Sequence, residues 1–289
     1  GALNEPERAV ADVDISELQV DVSDAFVFAP ALKDNEYLLA LSKKIINGRV
    51  RVAGGLDDFS VEDAFIAWGE GTSLRWSGGL KHALQPEYLR FEAMPLLIKS
   101  QKSDILRFVD EEALGIALPE TITLRAEAKG DKDGSTLLAT LTIPEGEVNI
   151  DGKFTNKEQL AFSAHIDVNQ LQLNKLLKSE QLGTLTFEAT ASGSGADLST
   201  LNASLQSDFK TLEFNHYDFS GLTLAGDMQN GQGDVTLSFK DENLDVSLKT
   251  LLELDSTSST IGLTLDLKGA DFRALGVTSK DLRARFKLQ

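Results

Sequence analysis

The clearest pattern in the chain is an alternation of apolar and polar side chains that runs from Leu212 to Leu267. Successive side chains of a β-strand point to opposite faces, so a period of two predicts strands with one apolar and one polar face. The alternation is interrupted at three short runs of turn-forming residues, 230–233, 241–243 and 255–259. Such breaks are typical of β-hairpins. We therefore predict four successive antiparallel strands that form a meander.

The apolar positions of these strands are the candidate functional residues of the chain. A shift in the alternation is predicted at Thr250 and Leu251, after which Leu252 and Leu254 continue it. The polar face is predicted to carry Thr223, Thr236, Ser238, Lys240, Asp245, Ser247, Lys249, Thr264 and Asp266. The apolar face is predicted to be lined by Leu222, Leu224, Val235, Leu237, Phe239, Leu244, Val246, Leu248, Ile261, Leu263, Leu265 and Leu267. What covers this apolar face decides the function.

The rest of the chain continues in alternating runs about ten residues apart, which is the spacing of an all-β protein. Val13 to Val22 alternates, and Phe26 and Phe28 continue the pattern to Pro30, which predicts one or two strands. The predicted fold is therefore all-β: an elongated, curved antiparallel sheet with short helices at its edges.

Two of those helices have recognisable ends. Residues 35–46 carry apolar side chains at helical spacing, with Asp34 or Asn35 as the N-cap and Gly48 as part of the stop. A second short helix is predicted at 104–112, where a serine cap precedes it.

One predicted strand, 88–98, contains a proline. Pro95 has no backbone N–H, so it cannot donate to a neighbouring strand. Proline within a sheet is confined to edge strands and bulges. We predict that this strand lies at an edge or contains a bulge.

Three stretches, 92–128, 165–191 and 264–288, share a loose pattern. Each stretch begins with a predicted strand and ends with a predicted return strand. Between them lies a short connecting segment, here called an excursion, which contains a pair of apolar residues followed by polar ones. Repeats of this kind build elongated structures. We predict one elongated β-groove fragment over 1–289, with possible sub-units at 1–90, 91–168 and 169–289.

Charge and composition exclude several functions. The chain of 289 residues has 45 acidic and 28 basic side chains, for a net charge of -17. Binding to nucleic acid or to an anionic membrane through a polybasic patch needs the opposite sign, so neither is predicted. The absence of cysteine excludes disulfides and zinc–thiolate centres. Gly1 stands where an initiator Met would be, and we expect a fragment of a longer protein.

No metal or cofactor is predicted. His82, His165 and His216 lie far apart in the sequence, and solvent-facing side chains explain them better than a metal site. Residues 131–135 resemble the start of a calcium loop, but Thr142 occupies the position of the required glutamate. A β-turn is the preferred interpretation.

No catalytic residue is predicted either. The acidic pairs 57–58, 62–63 and 111–112 are expected by chance in so acidic a chain. The run 193–195 reads Gly-Ser-Gly and lacks the strand-to-helix setting of a nucleophile elbow. We predict that the protein is not an enzyme.

Trp68 and Trp76 flank a tight turn. Such a pair can line a sugar site or lie at a membrane interface. Packing across two neighbouring strands is the simpler interpretation and the one we prefer.

Three groups of segments carry a resemblance to a known family. They are 168–178 with 182–184 and 193–195; 217–219, 224–226, 230–231 and 241–244; and 269–277. In these segments the chain resembles the TamB branch of the AsmA-like envelope proteins, in the form found in Bacteroidota. The resemblance covers most of the chain and is weakest in 1–60, and its motifs are structural and degenerate.

The resemblance implies a taco-shaped β-sheet whose apolar inner face conducts phospholipids, with phospholipid acyl chains as the ligand. It implies a periplasmic location, an inner-membrane anchor in a segment absent from this sequence, and an outer-membrane barrel-assembly partner of the Omp85 type. Its implied roles are phospholipid transport to the outer membrane and outer-membrane protein assembly. The N-terminal membrane helix and the terminal barrel-docking domain of that family are not seen here.

Elementary energetics is consistent with such a groove. Two sixteen-carbon tails expose about 30 methylenes, and at ~0.8 kcal/mol each their transfer through water costs on the order of 20 kcal/mol. An apolar sheet face removes most of that cost. The alternative is a closed β-sandwich, as in a secreted adhesin or glycan-binding module, because a sandwich core alternates in the same way.

Overall fold

The structure, a computed structural model, describes residues 10–28, 30–41, 44–157, 159–254 and 259–288. It divides into two compact units, Gly1–Pro144 and Glu145–Gln289. The sub-unit divisions suggested by the sequence, after residues 90 and 168, both fall inside strands. The all-β, antiparallel class predicted from the alternation is confirmed in each unit, while the elongation of the whole chain stays a prediction.

The described residues of unit 1 form seven strands, each paired antiparallel with the next. The strands are β1 (Val10–Asp21), β2 (Ile45–Gly55), β3 (Phe59–Trp68), β4 (Thr72–Lys81), β5 (Arg90–Gln101), β6 (Thr121–Asp131) and β7 (Gly134–Ile143).

Short helical segments connect some of these strands. They are α1 (Val22–Phe28), α2 (Glu36–Ala40), α3 (Lys102–Ile105) and α4 (Glu111–Leu114), with 3-10 turns at Pro30–Asp34 and Pro86–Tyr88.

Two predictions in this region were partly or wholly wrong. Asn35 does cap a helix, because its side chain accepts the N–H groups of Tyr37 and Leu38. That helix, however, does not extend to residue 46. Ile46 belongs to β2 and lies opposite Val20, so pairing between strands overrides the helical spacing. The predicted continuation of strand structure through 26–28 is also wrong, because α1 occupies these residues.

The predicted helix at 104–112 is likewise two short helices, α3 and α4, separated by a turn. Asp110 caps α4 by accepting the N–H of Glu112, and Gly115 ends it in the left-handed conformation with φ 67°. The Asp110 cap therefore begins a second helix within a segment whose apolar spacing predicts a single helix, and Gly115 ends that second helix.

A line of register shifts crosses the first five strands of unit 1, and we call it the bulge line. The proline prediction is confirmed as a bulge, because Pro95 lies inside one of these shifts in a strand paired on both sides. A bulge bends its strand and increases the local twist. The shifts lie between Ile15 and Leu18, Arg51 and Val52, Val61 and Ala64, Arg75 and Gly78, and Ala93 and Leu96.

Gly78 provides a test of the bulge line. Its φ is +145°, and a Cβ atom there would lie 1.9 Å from the backbone oxygen of Glu92. We expect Gly78→Ala to lower the free energy of unfolding by roughly 2 kcal/mol or more, because both the backbone and the contact must change. Denaturant unfolding measures this loss.

The neighbouring Gly79 is the matched control. A Cβ there would meet only the backbone oxygen of Phe59, at 3.4 Å. Gly79→Ala should therefore change the stability by no more than about 0.5 kcal/mol. Equal losses in the two variants would show that the bulge does not depend on glycine.

The described residues of unit 2 form ten strands in a meander, and β11 pairs with both β12 and β13. The four strands predicted from the alternation are confirmed as β13 to β16. The strands are β8 (Gly146–Asn156), β9 (Leu160–Gln172), β10 (Leu182–Gly195), β11 (Asn202–Phe214), β12 (Tyr217–Asp218), β13 (Thr223–Gln229), β14 (Gln232–Lys240), β15 (Leu244–Leu254), β16 (Ser259–Asp271) and β17 (Arg283–Leu288).

The excursions predicted from the three similar stretches are present. They follow β5, β9 and β16, and a further one, which the sequence comparison missed, follows β1. Neighbouring strands of a meander run in opposite directions, and the two excursions of each unit follow strands that run in the same direction. Both excursions of a unit therefore lie at the same end of its sheet. In unit 1 the two excursions meet where the rings of Tyr37 and Phe108 lie 6.3 Å apart.

In unit 2 a residue of the turn after β11 joins the two excursions. The backbone N–H of Asn215 donates to the carbonyl of Gln181 at 2.5 Å. Its side-chain amide donates to the carbonyl of Gly276 at 3.4 Å. The excursion after β9, which includes α5 (Leu173–Leu176), is thereby linked to the excursion after β16.

Candidate functional site

A row of apolar side chains crosses five strands of unit 2. Leu224 lies opposite Leu237, which lies opposite Leu248, and the row continues to Leu265 and Leu288. Residues directly opposite each other in an antiparallel pair share a face of the sheet. We call the face that carries this row the apolar face of unit 2.

The same row continues in the other direction to the first strand of the unit. Leu224 lies opposite Ser207, and the row then passes through Ala189, Ile166 and Ile150. Ser207 is its one polar member; it is 3% exposed and its hydroxyl has no hydrogen-bond partner. The apolar face therefore spans β8 to β17 without a charged residue in this row.

A neighbouring row on the same face is aromatic and aliphatic. Phe209 lies opposite Phe187, which lies opposite Val168 and then Val148. The two phenylalanine rings stack with centroids 5.2 Å apart. β8, β9 and β10 therefore each contribute two apolar side chains to these two rows.

All twelve predicted lining residues lie on this face. Leu222, Phe239 and Leu267 are buried, with 8%, 3% and 6% exposed. Ile261 and Leu263 are exposed, at 65% and 58%. The remaining seven are half-buried, namely Leu224, Val235, Leu237, Leu244, Val246, Leu248 and Leu265. That they line a lipid groove stays a prediction.

One detail of the predicted pattern was wrong. No register shift occurs at Thr250 and Leu251, because they lie opposite Leu263 and Gly262 in unbroken order. Leu251 consequently lies on the polar face, where it is 49% exposed. The shift lies instead between Asp245 and the residue after it, where β16 has one extra residue.

The opposite face of unit 2 is polar and charged. Glu188 lies between Asp167 and Asp208 on the neighbouring strands, an arrangement of like charges that is unfavourable. The Lys210 ammonium donates to Glu188. This hydrogen bond, with the charge of Lys210, holds the pKa of Glu188 below its ordinary value. The polar face is thus stabilised by a cation where the acidic side chains meet.

The polar face also has a hollow. Its lining consists largely of small side chains and includes His165. The ring nitrogens and hydroxyls there can be solvated by water, and the lining includes no Phe, Tyr or Trp ring as a platform for a sugar. The hollow is lined by Asp151, Ser163, Ala164, His165, Thr190, Ala191, Ser192, Ser204 and Gln206.

Unit 1 has an apolar face of its own. One of its rows runs from Gly48 through Ile66, Leu74 and Ile98 to Leu124. A second row joins Val13, Val52 and Val61 before it crosses the later strands. The alternation of unit 2 is therefore repeated in unit 1, where no lining residues were predicted from the sequence.

The two tryptophans lie on the apolar face of unit 1. Trp68 lies opposite Thr72, and Trp76 lies opposite Ala64, so the two indoles are not directly opposite each other. Both indole N–H groups are buried without a hydrogen-bond partner. The two indoles therefore contribute to this face as apolar side chains, because neither N–H group makes a hydrogen bond.

The histidines were predicted to have no nearby ligands, and for His82 the structure differs. Ligand atoms of Asp57, Asp58 and His82 lie within 4.8 Å of one another. The carboxylates already accept backbone N–H groups, from His82 at 2.8 Å and from Leu84 at 3.0 Å. These hydrogen bonds hold the turn after β4, which accounts for the cluster without an ion.

Two smaller sequence predictions are settled by the fold. The 131–135 segment forms the tight turn between β6 and β7, with Asp131 opposite Gly134. The Asp131 carboxylate accepts the N–H of Asp133 at 2.9 Å. The run 193–195 lies within β10, where Gly193 pairs on both sides, so it has no elbow geometry.

Comparison of the chain with protein-family models, curated proteins and solved structures finds no match. Within the described ranges, every helix is too short or too polar to cross a membrane.

Proposed function

We propose that this protein is a non-enzymatic lipid-conducting protein whose apolar sheet face holds phospholipid acyl chains. The observation that carries the proposal is the uncharged row that crosses unit 2 from Ile150 to Leu288. An acyl chain has no polar group to satisfy, so a face of Leu, Ile, Val and Phe is sufficient to bind it.

Partial exposure of this face supports an open groove over a sandwich core. In a sealed sandwich the inward side chains of both sheets interdigitate and are buried. Here Ile261, Leu263 and Leu288 are 65%, 58% and 59% exposed. Contiguous apolar surface of this kind marks a site of interaction.

The total surface area supports the same interpretation. The chain exposes 18373 Å², whereas two separate compact domains of half its mass would together expose roughly 14,500 Å². Among the described residues few large apolar side chains are fully buried, and the most deeply buried side chain is that of Asp104, at 1%. Sheets with uncovered faces account for both observations.

The setting of this activity is proposed from the resemblance to the TamB branch. We place the protein in the periplasm, anchored in the inner membrane through a segment outside this sequence. There it would contribute to phospholipid transport to the outer membrane and to assembly of outer-membrane barrels with an Omp85-type partner. The polar, acidic second face would keep the sheet in solution.

Photo-crosslinking tests the proposal directly. A crosslinking amino acid at an apolar-face position should capture phospholipid, and one at the adjacent position on the polar face should not. The three positions on the apolar face are Leu224, Leu237 and Leu265, and their controls are Thr223, Thr236 and Thr264.

Lipid adducts detected by mass spectrometry are the readout, with phospholipid vesicles as the donor. We expect adducts at the three leucines only. Equal labelling at both sets of positions, or none at the leucines, would rule out acyl-chain binding by this face. Phospholipid that co-purifies with the protein provides an independent measurement.

A further inference from the structure

The face of unit 1 opposite its apolar face carries a row that includes three arginines. Five successive strands contribute one residue each, namely Arg49, Phe65, Arg75, Leu97 and Arg125. Each of these residues is the sequence neighbour of a member of the apolar row that runs from Gly48 to Leu124. Successive side chains of a strand point to opposite faces, so the arginine row and the apolar row lie on opposite faces of the sheet.

The ring of Phe65 positions two of these arginines. The guanidinium carbons of Arg49 and Arg75 lie 5.4 Å and 5.8 Å from the centroid of the ring, within the range of a cation–π contact. Arg49 also donates to the Asp63 carboxylate at 2.6 Å, which neutralises its charge. Arg75 is therefore held by the ring without a neutralising carboxylate.

Lys99 adds a third cation beside Arg75 and Arg125. It follows Leu97 by two positions on β5 and so shares its face. On the neighbouring strands it lies between Ser73 and Thr123, whose half-buried hydroxyls can each donate a hydrogen bond. Hydrogen-bond donors therefore surround the lysine.

We call Arg75, Lys99 and Arg125 the cation cluster. All three side chains are exposed, and none forms an ion pair with another of the described residues. The acidic Glu127 follows Arg125 by two positions on the same face. One carboxylate against three cations leaves the cluster positive, in a chain that has 45 acidic and 28 basic side chains.

We propose that the cation cluster is a binding site for a phosphate group. A guanidinium is planar and binds two phosphate oxygens at once, and an ammonium or a hydroxyl binds a further one. Arg75 and Arg125 are separated by one strand, so their Cα atoms are about 10 Å apart. Their long side chains can converge on one anion above Leu97, with Lys99 beside it.

The net charge of -17 favours a compact phosphate ligand over a polyanion. Charges at the surface are largely screened beyond about 8 Å at physiological ionic strength. A single phosphate group at the cluster is therefore influenced mainly by the three cations. Nucleic acid extends much further, and it would also meet the acidic side chains elsewhere on the chain.

The phosphate group can belong to a dissolved monoester or to the headgroup of a phospholipid. Both present the same oxygens to the cluster. The inference does not depend on acyl-chain binding, because the cluster lies on the opposite face of the sheet from the apolar row.

Titration of the whole chain with glycerol 3-phosphate, measured by isothermal calorimetry, tests the site. Saturable binding is expected, and sodium chloride of equal ionic strength should not reproduce it. Arg75→Gln and Arg125→Gln should each weaken binding about fivefold. Absence of saturable binding, or full affinity in both variants, would overturn the proposal.

Arg90→Gln is the matched control. Arg90 lies at the opposite end of β5 from Lys99, and its guanidinium is 3.7 Å from the Asp131 carboxylate. The variant removes the same charge far from the cluster, so its affinity should match that of the unmodified protein. A loss equal to that of Arg75→Gln would mean that net charge governs binding, and it would overturn the site.

Glu127→Gln tests the position of the ligand from the other direction. Removing a carboxylate beside Arg125 should strengthen phosphate binding about twofold. An unchanged or lower affinity would contradict a phosphate bound next to Arg125.

Vesicles distinguish the two sources of the phosphate. Co-sedimentation with phosphatidylglycerol vesicles, reversed by glycerol 3-phosphate and lost in Arg75→Gln, would assign the site to a lipid headgroup. Binding of glycerol 3-phosphate without co-sedimentation would assign it to a dissolved monoester. Binding of polyglutamate without binding of glycerol 3-phosphate would overturn the proposal.

Discussion

Replacing Leu237 with aspartate is expected to weaken the acyl-chain binding that we propose for unit 2. Leu237 lies in the middle of the apolar row, between Leu224 and Leu248. A carboxylate there must either lose its water to the acyl chain, at a cost of several kcal/mol, or keep the chain away. Because 1.4 kcal/mol is a factor of ten, we expect the affinity for a fluorescent fatty acid to fall at least about tenfold.

The adjacent residue supplies the control for this prediction. Thr236 lies on the polar face opposite Lys249, so Thr236→Asp introduces the same charge next to a cation. Its affinity for the fatty acid should match that of the unmodified protein. Comparable losses in both variants would mean that the charge acts at a distance, and the apolar face would not be the binding site.

Replacement of Asp104 is expected to cause the largest loss of stability in unit 1. Its carboxylate accepts the N–H groups of Glu70, Gly71 and Thr72 at 3.0 to 3.2 Å, and the Thr72 hydroxyl at 2.8 Å. Only 1% of the residue is exposed. We expect Asp104→Asn to lower the free energy of unfolding by about 3 kcal/mol, because charged hydrogen bonds are lost and N–H groups are left buried.

This site also makes stability depend on pH. Burial alone would raise the pKa of Asp104, but hydrogen bonds from the Thr72 hydroxyl and from backbone N–H groups outweigh it and lower the pKa below its ordinary value. A group with a lowered folded pKa contributes its full stability above its unfolded pKa of about 3.9 and loses it as the pH falls through the folded pKa. Denaturant unfolding between pH 2 and 6 should show a loss of stability at low pH, and Asp104→Asn should make that loss smaller by the part that Asp104 contributes.

Asp110→Asn is the control for Asp104. That carboxylate is exposed and accepts one backbone N–H, from Glu112 at 2.9 Å. The change should cost less than about 1 kcal/mol, because asparagine also caps helices well. If both variants lost the same stability, the buried hydrogen bonds of Asp104 would not be the source of its effect.

The alternation predicted the fold class and the faces of β13 to β16 because both depend only on the period of two. Cross-strand partners such as Leu237 and Leu248 then follow from the hairpin turns between them. The restriction of Pro95 to an edge strand or a bulge was equally accessible, since a missing N–H is a property of the residue itself. In each case a local feature decides the structure.

Other features depend on distant parts of the chain and could not be predicted in this way. Ile46 has helical spacing, but pairing with Val20 places it in a strand. Asp104 is an ordinary acidic residue in the sequence, and only the fold brings it to the turn after Trp68. The approach of His82 to Asp57 likewise requires the pairing of β3 with β4.

The leucine row has a consequence for how a guest molecule would move. Neighbouring strands are about 4.8 Å apart, so the five leucines from β13 to β17 offer nearly equivalent contacts at that interval over roughly 19 Å. A hydrocarbon displaced by one interval regains almost the contacts that it left. Because the contact energy is nearly the same at each position, the free energy of the hydrocarbon would change little as it moves across the strands. Its movement could then proceed by thermal diffusion down a concentration gradient.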